Sequence, residues 1–218
     1  MSELLQTGTD RFLDAVAPEG DDVVAAMEAY GEAHGPTTVG RTVGGFLRLL
    51  TRLAGADRVF EFGSGYGYSA YWFALGGAEV VLTDVDGERL DAAREFFERG
   101  GLRDRATFER GDAHEVFAAT DGPFDAVLLD HDKARYAEAF DEVREKLAAG
   151  GLVVVDNAMV STSIQFPELV ATLEGEDPSL NGATRGVAEV LRAASEAAAF
   201  ELAVLPIGEG VAVARHVE

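Results

Sequence analysis

The chain has 218 residues, 47% of them apolar, and a net charge of −21 from 39 acidic and 18 basic side chains. That length suits one α/β domain with a sizeable core, and so acidic a surface repels nucleic acid and anionic membranes at low salt. The absence of cysteine removes disulfides, thiolate metal sites and thiol nucleophiles, and no uncharged apolar run approaches the ~20 residues that span a bilayer.

The amino terminus Met1-Ser2-Glu3-Leu4-Leu5 is acidic and has no basic leader region, so no signal peptide and a soluble cytoplasmic protein are expected. The first 55 residues read as helices forming a cap or lid on a core of residues 56–218. Leu4, Leu5, Phe12, Leu13 and Val16 have helical spacing and run into the break Pro18-Glu19-Gly20. Asp21 and Asp22 stand where an N-cap belongs, ahead of Val23 to Met27. The turn His34-Gly35-Pro36 leads through Thr37-Thr38-Val39-Gly40 to a helix carrying Val43, Phe46, Leu47, Leu49 and Leu50.

From Asp57 the pattern changes to alternating strands and helices, which predicts a doubly wound, Rossmann-like parallel sheet covered on both faces. Strands are expected at Arg58–Phe62, Glu79–Asp84, Ala106–Arg110, Phe124–Leu129 and Leu152–Val155. Intervening helices run from Tyr68 to Leu75, through Leu90, Ala93 and Phe97, and through Tyr136, Phe140, Val143 and Leu147, the last ended by Gly150-Gly151. A final helix spans roughly Thr184 to Ala198. Phe200–Leu205 and Gly210–Arg215 then form an antiparallel hairpin at the sheet edge.

In such sheets ligands bind beyond the carboxyl ends of the strands. The first strand ends in Glu61-Phe62-Gly63-Ser64-Gly65-Tyr66-Gly67-Tyr68-Ser69, where glycines permit a tight turn and close ligand approach ahead of a helix N-terminus. A dinucleotide fingerprint needs its third glycine at position 68; here it is Gly67, which suits a ligand without a pyrophosphate. Asp84 ends the second strand and can accept hydrogen bonds from two ribose hydroxyls. Gly111-Asp112-Ala113-His114 ends the third, as an adenine contact or as an Asp-capped helix start. Asp130 ends the fourth and Asp156-Asn157 the fifth. Two carboxylates and an amide from neighbouring strands suit a hard cation such as Mg²⁺ or Ca²⁺, although each Asp could instead cap the turn that follows it. His131 lies beside these residues; His34, His114 and His216 have no metal-ligand spacing. Lysine is nearly absent, with two residues against sixteen arginines. One of the two, Lys133, stands beside Asp130 and Asp132, either as a titratable amine that arginine cannot replace or as a simple counter-charge. Excess acid with scarce lysine is similar to the composition of halophile proteins, in whose molar salt the screening length falls to roughly 3 Å.

Together these residues resemble the class I S-adenosylmethionine-dependent O-methyltransferases, in the cation-dependent group that includes catechol and caffeoyl-CoA O-methyltransferases. The resemblance runs from about His34 to Arg215. It rests on Thr38-Val39-Gly40, the loop from Val59 to Ser69, Gly111-Asp112-Ala113, the run Phe124 to Lys133, Gly150 to Asn157, and Leu205-Pro206-Ile207-Gly208-Glu209-Gly210. It implies a seven-stranded sheet in the order 3-2-1-4-5-7-6 with strand 7 antiparallel, and a homodimer. It implies Asp130, Asp156 and Asn157 as ligands of a divalent cation, with Mg²⁺ expected, and Lys133 as general base. It assigns Val39, Glu61, Gly63, Gly65, Ser69, Asp84, Asp112, Ala113 and Asp130 to S-adenosylmethionine. The implied reaction is methylation of a hydroxyl on a small, catechol-like acceptor. The segment Ala158 to Ile164 departs from the Trp-Gly-Gly pattern of many relatives, so the acceptor does not transfer. Three alternatives remain: a tRNA hydroxyuridine O-methyltransferase of the same family, a nicotinamide-dependent oxidoreductase, disfavoured by the glycine spacing, and a non-catalytic S-adenosylmethionine-binding protein.

Overall fold

The structure, a computed structural model, describes residues 3–35 and 38–217, without the side chains of residues 3–7 and 10. Met1, Ser2, the Leu4 and Leu5 side chains and the Pro36-Thr37 part of the expected turn lie outside the described residues. Among the described residues, no helix is long and apolar enough to cross a membrane.

Three helices open the chain: α1 (Glu3–Val16), α2 (Asp22–His34) and α3 (Gly40–Ala54). Asp21 caps α2, accepting from the amides of Val23 and Val24 at 3.0 Å each, and so satisfies donors that the helix leaves unpaired. The alternating core then runs β1 (Arg58–Phe62), α4 (Tyr68–Gly76), β2 (Glu79–Asp84), α5 (Gly87–Arg99), β3 (Ala106–Arg110), α6 (Ala113–Ala119) and β4 (Phe124–Leu129). It continues with α7 (Tyr136–Val143), β5 (Leu147–Val155), α8 (Phe166–Leu173), α9 (Gly182–Glu196), β6 (Phe200–Leu205) and β7 (Val211–His216). The seven strands order as β3-β2-β1-β4-β5-β7-β6, with β7 antiparallel to both β5 and β6. This is the expected topology.

The central strands carry apolar residues on both faces because helices cover both. On one face Val59, Val80, Leu82, Leu128 and Val154 pack against Val24 and Met27 of α2, Leu47 of α3, and the Trp72 and Phe97 helices. On the other, Phe60, Phe62, Val127, Leu129 and Val153 meet Phe117 of α6, Phe140 of α7, Leu169 of α8 and Val187 and Leu191 of α9. The helices α2 and α3 are thus part of one covering layer. The apolar side chains Phe12 and Val16 of α1 and Leu49 and Leu53 of α3 remain exposed.

Some details differ from the sequence expectation. Leu147 starts β5 instead of ending α7, and Gly150-Gly151 lie inside that strand. The register passes from Phe124↔Leu147 to Ala126↔Leu152, so the intervening residues form an irregularity in which Gly150 takes φ 77°. A glycine pair in a left-handed bulge reads in sequence like a helix stop, since both need positive φ. The helix α8 falls in a stretch for which the sequence pattern predicts no element, and α6 forms behind Asp112, where the sequence allows either a capped helix start or an adenine contact. The last strand begins at Val211, one residue later than expected.

Candidate active site

The carboxyl ends of β1 to β4 surround a cavity of about 400 Å³, within the size range of small-molecule sites. The β1–α4 loop forms one side and is sewn to β2 by Thr83. The Ser64 amide donates to the Thr83 carbonyl, the Thr83 amide to Ser64 Oγ, both at 2.8 Å, and Thr83 Oγ1 to the Glu61 carbonyl at 2.7 Å. Gly63 holds φ 83°, and a β-carbon there would stand 2.4 Å from the Asp130 carbonyl oxygen. Only glycine lets the two loops approach this closely.

Of the expected cofactor residues, Val39, Gly63, Gly65, Ser69, Asp84, Asp112, Ala113 and Asp130 all line this cavity. Asp84 accepts from the Gly65 amide at 3.0 Å and the Asp86 amide at 2.8 Å, one on each oxygen, leaving further lone pairs toward the cavity for hydroxyl donors. Asp112 does both things proposed for it: it lines the cavity and caps α6, accepting from the His114 amide at 3.0 Å. Its other oxygen takes Arg135 Nη1 at 2.6 Å, which with desolvation opposing holds its carboxyl below the ordinary value. Glu61 is fully buried behind the cavity wall, with Ser69 Oγ donating to its Oε1 and Oε2 without a partner. Burial pushes its pKa up to about 7.

Beside the cavity, β4 and β5 end in register, with Leu129 opposite Val155 and the Asp156 amide donating to the Leu129 carbonyl at 3.1 Å. Asp130 and Asp156 are therefore the next residues on adjacent strands, about 5 Å apart along the hydrogen-bonding direction. Desolvation and the Asp156 charge raise the Asp130 pKa well above its ordinary value, with Lys133 opposing. Burial likewise raises Asp156 to about 6, against the Asn157 amide and Lys133. Among the described residues neither carboxylate forms an ion pair within 4.0 Å. Two crowded carboxylates with an adjacent amide are a donor set that a hard dication fits. The turn that carries Lys133 (Lys133–Arg135) is capped by Asp132, which accepts from the Ala134 amide at 3.1 Å, so Asp130 is not spent as its cap. Lys133 is half-buried, with Nζ 5.9 Å from the Tyr136 ring centre. Its backbone is pressed against α9, where a β-carbon on Gly186 would overlap the Lys133 carbonyl.

Two contacts are not legible in the sequence, the first of them at His131, which the sequence places beside the cation ligands as a possible contact to the nucleotide. His131 lines the cavity, with its Nε2 at 3.1 Å from His114 Nε2, whose Nδ1 lies 2.9 Å from Glu142. Burial, with His114 and Arg135 nearby, lowers the His131 pKa to about 4, so the ring is neutral. His114 also gathers with Glu138 and Glu142 within metal-binding reach, a grouping invisible in linear spacing. Those groups are already matched, however, His114 by Glu142 and His131, and Glu138 by Arg135 at 3.0 Å. Second, Glu209, in the β6–β7 turn, accepts from Asn157 Nδ2 at 2.5 Å. The sequence predicts Pro206-Ile207-Gly208-Glu209 as the hairpin connection but not this contact, since 52 residues separate the pair.

A family model described as O-methyltransferase matches residues 25–217. A catechol O-methyltransferase of Mycobacterium tuberculosis is 32% identical over 157 residues, 69% of this chain and 71% of that protein. A catechol O-methyltransferase of Niastella koreensis is 28% identical over 168 residues, 73% of this chain and 76% of that one. Among solved structures, the O-methyltransferase from Bacillus cereus in complex with SAH has the same fold, with a TM-score of 0.83 at 23% identity over 97% of this chain and 99% of that one.

Proposed function

This chain belongs to the O-methyltransferase family, and on that footing we propose that it moves a methyl group from S-adenosylmethionine to a hydroxyl of a small, catechol-like aromatic acceptor, assisted by a divalent cation. One observation carries the cation-dependent form of the reading. Asp130 and Asp156 lie side by side at the ends of β4 and β5, without an ion-pair partner among the described residues and beside a cavity whose far wall holds Asp84.

Asp84 accepts the ribose hydroxyls of the donor, while Asp112, Ala113 and His131 border its adenine. Ser69, held by Glu61, and Val39 border the methionine part. Asp130, Asp156 and Asn157 would hold Mg²⁺ or a similar ion. Bound there, it would lower the pKa of the acceptor hydroxyl, about 10 for a phenol, and fix its position.

Lys133 takes the hydroxyl proton at Nζ. The oxygen then attacks the methyl carbon in line, the carbon–sulfur bond breaks, and its electron pair stays on sulfur, leaving a neutral thioether. Nucleophile and sulfonium carry opposite charges that cancel as the bond forms, so excluding water favours the step. Holding the reacting atoms in line contributes roughly 7–11 kcal/mol. The apolar side chains exposed on α1 and α3 support association into a homodimer.

The test is methyl transfer from S-adenosylmethionine to a panel of ortho-dihydroxy aromatics in molar KCl. Transfer that stops on chelation and returns with Mg²⁺ supports the proposal. Equal rates in excess EDTA remove the cation from it, and transfer to hydroxyuridine in tRNA alone removes the acceptor class.

A further inference from the structure

We propose that Glu209 is a positioning residue for the cation site: it fixes the Asn157 carboxamide so that Oδ1, and not Nδ2, is presented to the ion. This deepens the cation-dependent reading and rests on it.

A carboxamide has a donor end and an acceptor end of nearly equal size, and rotation by half a turn exchanges them. Only the oxygen can ligate a cation, so a flipped Asn157 would place an N–H₂ group where a ligand is needed. The Glu209 carboxylate has only acceptors to offer. Facing it, the Asn157 amide must present Nδ2, as it does at 2.5 Å. The opposite orientation would set two oxygens against each other, so Oδ1 is the end left free.

The bond is not required to hold the loop. The Ala158 amide already donates to the Gly210 carbonyl at 2.8 Å, and the Met159 and Val160 amides to the Glu209 carbonyl at 3.2 and 2.9 Å. Those three backbone bonds fasten the β6–β7 turn to the segment after β5 and deliver the Glu209 side chain to Asn157. Asn157 itself stands at φ 51°, where among the described residues every other positive φ belongs to glycine. Local strain at a non-glycine residue is retained where the surroundings over-determine it, and here the backbone as well as the amide is fixed.

Groups that orient metal ligands typically contribute about 10–100-fold in metal affinity. The experiment is Mn²⁺ titration of the metal-depleted full-length chain, free Mn²⁺ being read by electron paramagnetic resonance. Thermal unfolding and S-adenosylhomocysteine affinity serve as checks of the fold. Glu209→Ala is expected to weaken Mn²⁺ binding about 10–100-fold. Glu209→Gln, whose carboxamide can accept from Nδ2 or donate to Oδ1 and so no longer dictates which end of Asn157 is free, is expected to fall between Glu209→Ala and the unaltered chain. In an Asn157→Ala background, Glu209→Ala should add no more than about a factor of three, because its partner is gone. Unchanged affinity in Glu209→Ala overturns the inference. So does a full loss of about 10–100-fold on adding Glu209→Ala to the Asn157→Ala background, which would make the effect independent of the Asn157 amide. If the unaltered chain binds no Mn²⁺, the cation reading itself fails, an outcome distinct from either of these.

Discussion

Replacing Asp156 by Asn should make the metal-free protein more stable while destroying its cation site. Asp156 is 5% exposed, and its pKa rises from 3.8 to about 6. The folded state therefore binds this proton more tightly than the unfolded one. Stability from the group is complete below pH 3.8 and is lost as pH rises through about 6. Near neutrality the ionised group costs about 3 kcal/mol at most, from about two pKa units at 1.36 kcal/mol each. Because Asp130 shares the strain, Asp156→Asn should recover about 1–3 kcal/mol of it, which raises the unfolding midpoint by about 2–12 °C for a chain this long. Asparagine keeps an oxygen to accept from the Asn157 amide, so little else changes. The assay is thermal unfolding in EDTA at about pH 7.5 and again at about pH 5, where the unaltered protein is itself largely protonated and the gap should shrink. Adding Mg²⁺ should reverse the order, since a ligand stabilises only the protein that binds it. A variant less stable than its parent at neutral pH without metal, or a gap indifferent to pH, would refute the electrostatic reasoning.

Lys133→Arg keeps the charge but removes the base, so turnover should fall about 10²–10⁴-fold with S-adenosylhomocysteine affinity unchanged; near-parental rates at neutral pH would reassign the residue as a counter-charge. Asp84→Ala removes charge-assisted acceptors worth about 1.5–3 kcal/mol each, and calorimetry should show S-adenosylhomocysteine bound at least about tenfold more weakly. Glu61, raised from 4.5 to about 7, contributes stability that is full below pH 4.5 and lost as pH rises through about 7. In Glu61→Gln that component of the pH–stability curve, about 3 kcal/mol from its pKa shift, should be missing, and an unaltered curve would contradict the assignment. Raising KCl from about 0.1 M to about 1 M cuts the screening length from about 10 Å to about 3 Å. With a net charge of −21 the unfolding midpoint should climb, and a flat response would count against adaptation to high salt.

The central sheet was legible because several strands are apolar runs bounded by charged or glycine residues, as Ala126 to Leu129 and Leu152 to Val155 illustrate. The ligand side of the site was legible for a related reason: in a parallel sheet the residue after each run is delivered to the same edge, so Asp84, Asp112, Asp130 and Asp156 could be placed from sequence alone. What was missed depends on contacts between distant segments. Glu209 reaches Asn157 only through the pairing of β7 with β5, and the His114–His131 contact needs α6 and the β4–α7 loop to meet. Gly150-Gly151 misled because a bulge and a helix stop ask the same of the backbone.

Lysine scarcity was informative but incomplete. The second lysine, Lys146, donates to the carbonyls of Phe117, Ala118 and Thr120 at 2.7, 2.9 and 2.9 Å. A compact ammonium with three donors closes the end of α6 there in a way a planar guanidinium does not. Rare lysines thus mark two distinct needs in this chain, one geometric and, at Lys133, one that proton-transfer measurements address.

The most direct test of the account is a crystal structure of the chain with S-adenosylhomocysteine and Mn²⁺, with the ion located by its anomalous scattering. The account predicts one peak per chain, bound by Asp130, Asp156 and Asn157 Oδ1 at the edge of the cofactor cavity. A peak at His114, Glu138 and Glu142 instead, or none at the ends of β4 and β5 under saturating metal, would contradict it.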